Sequence, residues 1–193
     1  MIDYITGTVT ELNPAFAVVE CNGIGYGINI SLNTFSALEK DTSCRILIHE
    51  AIREDAHLLY GFATADERDL FRQLITVSGV GAGTARMMLS SVTPSDLREA
   101  IISGSVAILK GVKGIGLKTA QRIIVDLKDK IGKHAVSGEI LAFSDNTARE
   151  EALSALVMLG FARSSVLKVI DNILRENKKL QVEEIVRKAL KLL

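Results

Sequence analysis

The 193-residue sequence has little cysteine and no net charge, and both features limit what it can be. Two cysteines are too few for a disulfide-stapled secreted domain, so we expect a reducing compartment. A chain with 48% apolar residues and equal numbers of basic and acidic side chains, 23 of each, is not a disordered tail. The chain therefore folds, as one domain or as several small ones.

Long apolar runs are also missing. No run reaches the roughly 18 residues that crossing a bilayer requires. The start, MIDYITGTVTEL, has neither the basic region nor the continuous apolar segment of a signal peptide. We therefore expect a cytoplasmic protein.

The zero net charge argues at first sight against a nucleic-acid partner, but the charges are unevenly distributed along the chain. Residues 1–62 carry a net charge of −5, residues 63–133 carry +4, and residues 134–193 carry +1. Composition changes at similar positions, which indicates that the charge segments are also structural units. The middle segment is the cationic one.

The first segment has the pattern of a small β-barrel. Its short β-rich runs are residues 5–10, 16–21, 24–30, 45–52 and 58–62. Asn22-Gly23 is a strong two-residue hairpin signal, because both residues tolerate positive φ. We expect a helical turn within residues 33–43, and Glu54 and Asp55 at an exposed hairpin tip. Five strands in about 60 residues are typical of an oligonucleotide-binding (OB) barrel.

The middle segment is helical and repeats itself. LITVSGVGAGTA at 74–85 matches LKGVKGIGLKTA at 109–120 with a constant offset of 35 residues. The alignment pairs both glycines, the apolar residue between them, and a Thr-Ala pair. Each copy is predicted to be a helix, a Gly-apolar-Gly turn and a second helix, which is the helix-hairpin-helix motif.

The chemistry of this turn suits a DNA phosphate. Glycine permits a sharp turn, and Val80 or Ile115 is expected to anchor each turn in the core. The helix that follows starts with unpaired N–H groups and a positive dipole end. Lys118 and Arg122 lie four residues apart, on one helix face. The predicted DNA-binding residues are Gly79, Gly81, Gly83, Thr84, Lys113, Gly114, Gly116, Lys118, Thr119 and Arg122.

The last segment is predicted to be a linker followed by a bundle. Residues 134–145 show little periodicity. Beyond them we expect a helix over 149–159, a second from an N-cap at Ser164 to Asn177, and a third over 182–193. Helical apolar spacing usually marks a core, and Leu156, Leu159 and Phe161 fit that interpretation.

The whole chain resembles the RuvA family of bacterial Holliday junction branch-migration subunits. The most specific matches are REDAHLLYGF at 53–62, VSGVG at 77–81, GIGLKTA at 114–120 and ALVMLGF at 155–161. The resemblance implies an OB-type barrel over 1–63, a tandem helix-hairpin-helix domain over 64–133, a flexible linker over 134–145 and a three-helix, UBA-like domain over 146–193.

The resemblance also implies roles. In that family four subunits form a plate on a four-way junction during recombination and repair, and the helix-hairpin-helix motifs hold the arms. Glu54 and Asp55 would form an acidic pin at the centre. Leu156, Leu159 and Phe161 would help to dock the hexameric RuvB ATPase. The RuvC resolvase and a homotetramer or octamer are the other implied partners.

Some residues depart from the family pattern. Where several relatives carry lysine, this chain has Gly83 and Leu117. Near the start, where relatives often have basic residues, it has Asp3 and Tyr4. We therefore expect fewer phosphate contacts than in a more basic relative, and binding that depends less steeply on salt.

Other functions remain open at this point. Glu54 and Asp55 could be ordinary turn residues, or could bind Mg²⁺ in a nuclease, although two-metal sites need several acidic ligands in one pocket. The chain could also be a generic duplex binder. It has no Walker phosphate loop, and His49, His57 and His134 lack metal-ligand spacing. No catalysis, metal or cofactor is expected.

Overall fold

The computed structural model describes residues 1–138, 144–177 and 180–193. The chain divides into two compact units, residues 1–135 and 136–193. The barrel and the helix-hairpin-helix segment belong to the first of these units. Within the described ranges, no helix is both long enough and apolar enough to cross a membrane.

The first unit begins with a closed five-stranded barrel, as predicted. Its strands are β1 (Tyr4–Asn13), β2 (Phe16–Cys21), β3 (Ile24–Ile30), β4 (Ser43–Ile52) and β5 (His57–Phe62). They close in the order β1-β2-β3-β5-β4, with β3 and β5 parallel and the other pairs antiparallel. Inward-facing aliphatic side chains fill the interior, because alternate residues of each strand point to the same side.

Two predicted hairpins occur in the barrel. Asn22 and Gly23 have φ of 51° and 80°, the left-handed values that a tight two-residue turn between β2 and β3 requires. Strands β4 and β5 remain paired up to Ile52 and His57. The backbone N–H of Arg53 donates to the carbonyl of Ala56 at 2.8 Å. The tip of this second hairpin therefore consists of residues 53–56.

A short helix, α1 (Leu32–Ala37), lies between β3 and β4 and connects the barrel to the helices. The Glu67 carboxylate is buried and accepts hydrogen bonds from the hydroxyls of Ser31 and Thr34, the latter at 2.7 Å. The Thr34 hydroxyl in turn accepts from the N–H of Ala63 at 3.1 Å. A buried carboxylate is costly unless it is hydrogen-bonded, so these hydroxyls make the contact between barrel and helix tolerable.

The helices that follow the barrel are α2 (Ala65–Leu74), α3 (Ala82–Ser91), α4 (Pro94–Ser103), α5 (Val106–Lys110) and α6 (Leu117–Gly138). The two copies of the repeat have matching backbones. Gly79 and Gly114 have φ of 91° and 92°. Val80 donates to the Val77 carbonyl at 3.0 Å, and Ile115 makes the equivalent bond to the Val112 carbonyl at 3.1 Å. The internal repeat of the sequence is therefore also a repeat in structure.

The apolar residue of each turn is an anchor, as predicted. Val80 is 4% exposed and Ile115 is 5% exposed, and both belong to one hydrophobic core. The preceding helices contribute Leu74 and Leu109, which are fully buried in the same core. Because both turns insert into one close-packed core, their relative positions are fixed.

The second unit is built from α7 (Ser144–Met158), α8 (Arg163–Glu176) and α9 (Val182–Ala189), which share one hydrophobic core. The segment expected to be a linker has helix at both ends, because α6 continues to Gly138 and α7 begins at Ser144. Residues 139–143 of that segment lie outside the described residues.

The predicted cap at Ser164 is wrong. Helix α8 has Ala162 at its N-cap, without a side-chain hydrogen bond, and Ser164 lies in its first turn. The cause is the end of α7: Gly160 has φ of 99°, and Phe161 donates to the Leu156 carbonyl at 3.2 Å. With the bond from Gly160 to Val157, this is a Schellman motif, which reverses the chain early.

Replacing Gly79 by Ala should destabilise the protein, because an L-residue at φ of 91° costs about 1–2 kcal/mol. Gly114→Ala should have the same effect, because its backbone is equivalent. Gly83→Ala is the matched control: Gly83 lies in α3 without positive φ, and a Cβ there meets nothing within 4 Å. That substitution should stabilise by about 0.5–1 kcal/mol. Urea denaturation measures all three, and equal effects at Gly79 and Gly83 would contradict the turn geometry.

Candidate nucleic-acid interface

The second helix-hairpin-helix motif presents the cations that were predicted to bind phosphate. Lys113 lies in the turn, and Lys118 and Arg122 lie one turn apart near the start of α6. All three side chains are exposed. Among the described residues, none of the three takes part in an ion pair. Their charge is therefore available to an external anion.

The first motif presents backbone rather than cations. Gly79, Gly81 and Gly83 are exposed, and a Cβ at any of them would meet nothing within 4 Å. Gly81 is the N-cap of α3 and supplies no side-chain hydrogen bond. The N–H groups of the first turn of α3 are thus left without a side-chain cap, which suits an anion.

The remaining predicted contacts occupy equivalent places in the two motifs. Gly114 and Gly116 are exposed in the second turn. Thr84 and Thr119 are half-buried in the first turns of their helices. The bonds from Ala85 to the Gly81 carbonyl and from Ala120 to the Gly116 carbonyl are both 2.9 Å long. Both motifs therefore start their second helix in the same way.

The four arginines of α2, α3 and α4 are used within the protein. Arg68 pairs with Asp3 at 2.8 Å, and Arg72 lies 3.7 Å from the same carboxylate. Arg86 donates to the carbonyl of Ala15 at 2.8 Å, which joins α3 to the barrel. Arg98 of α4 pairs with Asp66 of α2 at 2.7 Å. The free positive charge of the middle segment is therefore concentrated on the second motif and α6.

Two of the departures from the family pattern have structural partners. Asp3 receives the two arginines of α2. Tyr4 stacks against the guanidinium of Arg45, whose Cζ lies 3.9 Å from the ring centroid. Such a cation–π contact is worth about 0.5–1 kcal/mol at an exposed site. These residues stabilise the edge of the barrel where β1 meets β4. Gly83 and Leu117, the other two departures, are exposed at the starts of α3 and α6.

The predicted pin is an exposed hairpin tip. Glu54 and Asp55 are both exposed, between the last paired residues of β4 and β5. Within the described parts of the chain, no group of three or more His, Cys, Asp or Glu could hold a metal ion. The two carboxylates therefore lack the additional described ligands that a two-metal site would need.

Sequence reasoning missed the group at the base of this hairpin. The Glu50 carboxylate lies 2.7 Å from Nε2 of His57 and accepts the backbone N–H of Ile2 at 3.1 Å. The hydrogen bond to His57, followed by that from Ile2, holds the pKa of Glu50 below its usual value. The sequence pattern does not predict the contact between Glu50 and His57, because the contact depends on the register between β4 and β5.

Two of the residues predicted to dock a partner pack within the second unit itself. Leu156 is fully buried in its core, and Phe161 is half-buried against that core as part of the Schellman turn. Leu156 is therefore a core residue of this fold and is not part of its exposed surface. Leu159 is 61% exposed and Met158 is 88% exposed. The exposure of Met158 could not be predicted from sequence periodicity, because it depends on where α7 packs.

Three family models match consecutive parts of the chain. A model described as "RuvA N terminal domain" matches residues 1–61. One described as "SAM-like Helix-hairpin-helix tandem" matches residues 71–129, and one described as "RuvA, C-terminal domain" matches residues 147–193. The matches follow the barrel, the paired motifs and the helical bundle in order.

Several curated proteins similar to this chain carry the same name. "Holliday junction branch migration complex subunit RuvA" of Bacteroides fragilis is 51% identical, with 99% of each chain covered. The protein of that name from Christiangramia forsetii is also 51% identical with 99% of each covered, and that from Porphyromonas gingivalis is 50% identical with full coverage of both. With this identity over its whole length, the chain belongs to the RuvA family.

Proposed function

We propose that this protein binds four-way junction DNA through its backbone, without reading base sequence, and presents the junction to the RuvB ATPase for branch migration. The main support is the pair of equivalent turns set in one hydrophobic core. Two phosphate sites at a fixed separation can recognise the course of a duplex arm through its backbone alone.

The two motifs contribute different terms to binding. In the first, uncapped N–H groups and small glycines allow a phosphate to approach the backbone closely. In the second, Lys113, Lys118 and Arg122 add charge that releases counterions from DNA. Because only the second motif carries free cations, each subunit makes a modest electrostatic contribution to the free energy of DNA binding. A homotetramer or octamer would repeat it around the junction.

The acidic tip has the opposite role. Glu54 and Asp55 repel phosphates at short range, where a Debye length of about 8 Å leaves their field only partly screened. They cannot strengthen DNA binding, but they can disfavour a closed duplex at the crossover and direct separating strands into the arms. The barrel thus supplies repulsion at the centre while the motifs hold the arms.

We propose a matching division of labour along the chain. Residues 1–63 carry the pin, residues 64–133 hold the arms, and residues 146–193 recruit the motor through an exposed apolar surface that includes Leu159 and Met158. The segment 134–145 connects the last two. The chain itself is proposed to be non-catalytic, with ATP hydrolysis supplied by RuvB and resolution by RuvC.

Removing the free cations should lower the salt dependence of junction binding. For Lys118→Gln with Arg122→Gln, the slope of log K against log salt should fall by about 0.7–0.9 for each phosphate that the variant no longer neutralises, and affinity should fall most at low salt. Lys168→Gln with Arg187→Gln, which removes the same two charges at exposed sites in α8 and α9, is the control for charge alone. Titration by fluorescence anisotropy at several salt concentrations measures the slopes. Slopes that remain equal to that of the control would contradict these phosphate contacts.

Neutralising the pin should separate binding from strand separation. With Glu54→Gln and Asp55→Asn, junction affinity should be unchanged or higher, because repulsion is removed. The rate of branch migration with added RuvB should change. Gel-shift titration and a strand-exchange assay measure the two quantities. A large loss of junction affinity would contradict the repulsive role.

A further inference from the structure

Glu50 connects three parts of the barrel at the base of the acidic hairpin. One carboxylate oxygen lies 2.7 Å from Nε2 of His57 on β5. The other accepts the N–H of Ile2 at 3.1 Å and lies 3.8 Å from the N-terminal ammonium of Met1. A single side chain on β4 thus joins β5 and the N-terminal segment.

The register shows why this contact lies just below the tip. Glu50 is opposite Leu59, and His57 is opposite Ile52 in the last pair before residues 53–56. Glu50 and His57 are therefore diagonal neighbours across the hairpin, which long side chains can span. Their hydrogen bond is the one side-chain hydrogen bond that joins β4 to β5 within residues 1–138.

The surroundings favour a bonded carboxylate here. The Glu50 side chain is only 10% exposed, and a carboxylate removed from water is costly unless it is paired and hydrogen-bonded. Both of its oxygens have partners, so breaking either contact would leave a poorly solvated charge. The hydrogen bonds from His57 and Ile2 also lower the pKa of Glu50, because they stabilise its carboxylate form.

Above this contact the hairpin has little packing of its own. Ile52 is 70% exposed and Leu58 is 39% exposed, and residues 53–55 of the tip are exposed as well. A two-stranded hairpin without a packed face is only marginally stable in water. The direction of the tip therefore depends on what holds its base.

We propose that Glu50 is a positioning residue for the acidic pin: by joining His57 and the N-terminal segment, it sets the direction in which Glu54 and Asp55 project. This inference rests on the proposed role of the pin. Glu50 need not touch DNA. It acts through the hairpin, so removing it should matter only while the pin carries its charge.

The test is a double-mutant cycle in the full-length protein. Glu50→Ala is made with the native pin and with the neutralised pin (Glu54→Gln, Asp55→Asn). Strand separation is measured by the fluorescence of 2-aminopurine placed at the crossover of a synthetic junction, and affinity is measured by anisotropy. Glu20→Ala, which removes an exposed acid on β2, controls for net charge.

Binding of the native protein should raise the 2-aminopurine fluorescence above that of the free junction. With the native pin, Glu50→Ala should lose most of this increase. Junction affinity should be retained, because the helix-hairpin-helix motifs are untouched. With the neutralised pin, Glu50→Ala should cause no further loss, since coupled residues give non-additive effects. His57→Ala should behave like Glu50→Ala. His57→Gln, which keeps a donor toward Glu50, should restore part of the signal.

The outcomes separate the two proposals. If neutralising the pin leaves the fluorescence unchanged, the role proposed for the pin is wrong. If neutralising the pin lowers the signal but Glu50→Ala does not, the positioning role is wrong. Equal losses from Glu50→Ala in both pin backgrounds, or a matching loss of affinity, would assign Glu50 a general structural role and would overturn the inference.

Discussion

Residues 59–62 of strand β5 are buried on both faces, and the arrangement of the first unit depends on them. Leu59 points into the barrel core, while Tyr60 and Phe62 belong to the core that contains both helix-hairpin-helix turns. Phe71 of α2 packs against these two rings, with centroids 5.2 and 4.9 Å apart. Because β5 starts at the acidic hairpin, one strand connects the acidic tip to the core that holds both helix-hairpin-helix turns. Such packing admits few alternative arrangements.

The positive side chains of the middle segment differ in whether they already have partners within the protein. The middle segment has a net charge of +4, but its four arginines in α2–α4 are bonded within the protein. The cations left for an external partner are lysines and one arginine of the second motif and of α6. A weakly charged chain is thus compatible with DNA binding, provided that subunits assemble around one junction and add their contributions.

Features set by local geometry could be predicted from the sequence. The turn at Asn22-Gly23 and the Gly-apolar-Gly turns require positive φ, which few residues tolerate. The repeat offset and the strand runs are equally local. The contacts that tie these elements together were not predictable in the same way. The pairing of Glu50 with His57 and the bonding of Arg86 to the barrel depend on register and packing between distant segments. The sequence alone could not decide whether Leu156 is buried, since an apolar helical stripe fits both a core and a docking surface.

On the proposed function, the protein recognises the shape of a four-way junction and does not cut it. The most direct measurement is competition between a labelled four-way junction and an unlabelled duplex of the same sequence and length, with Mg²⁺ present. The account predicts that excess duplex displaces little junction, and that the junction strands remain intact. Equal competition by duplex, or cleavage of the junction, would contradict it.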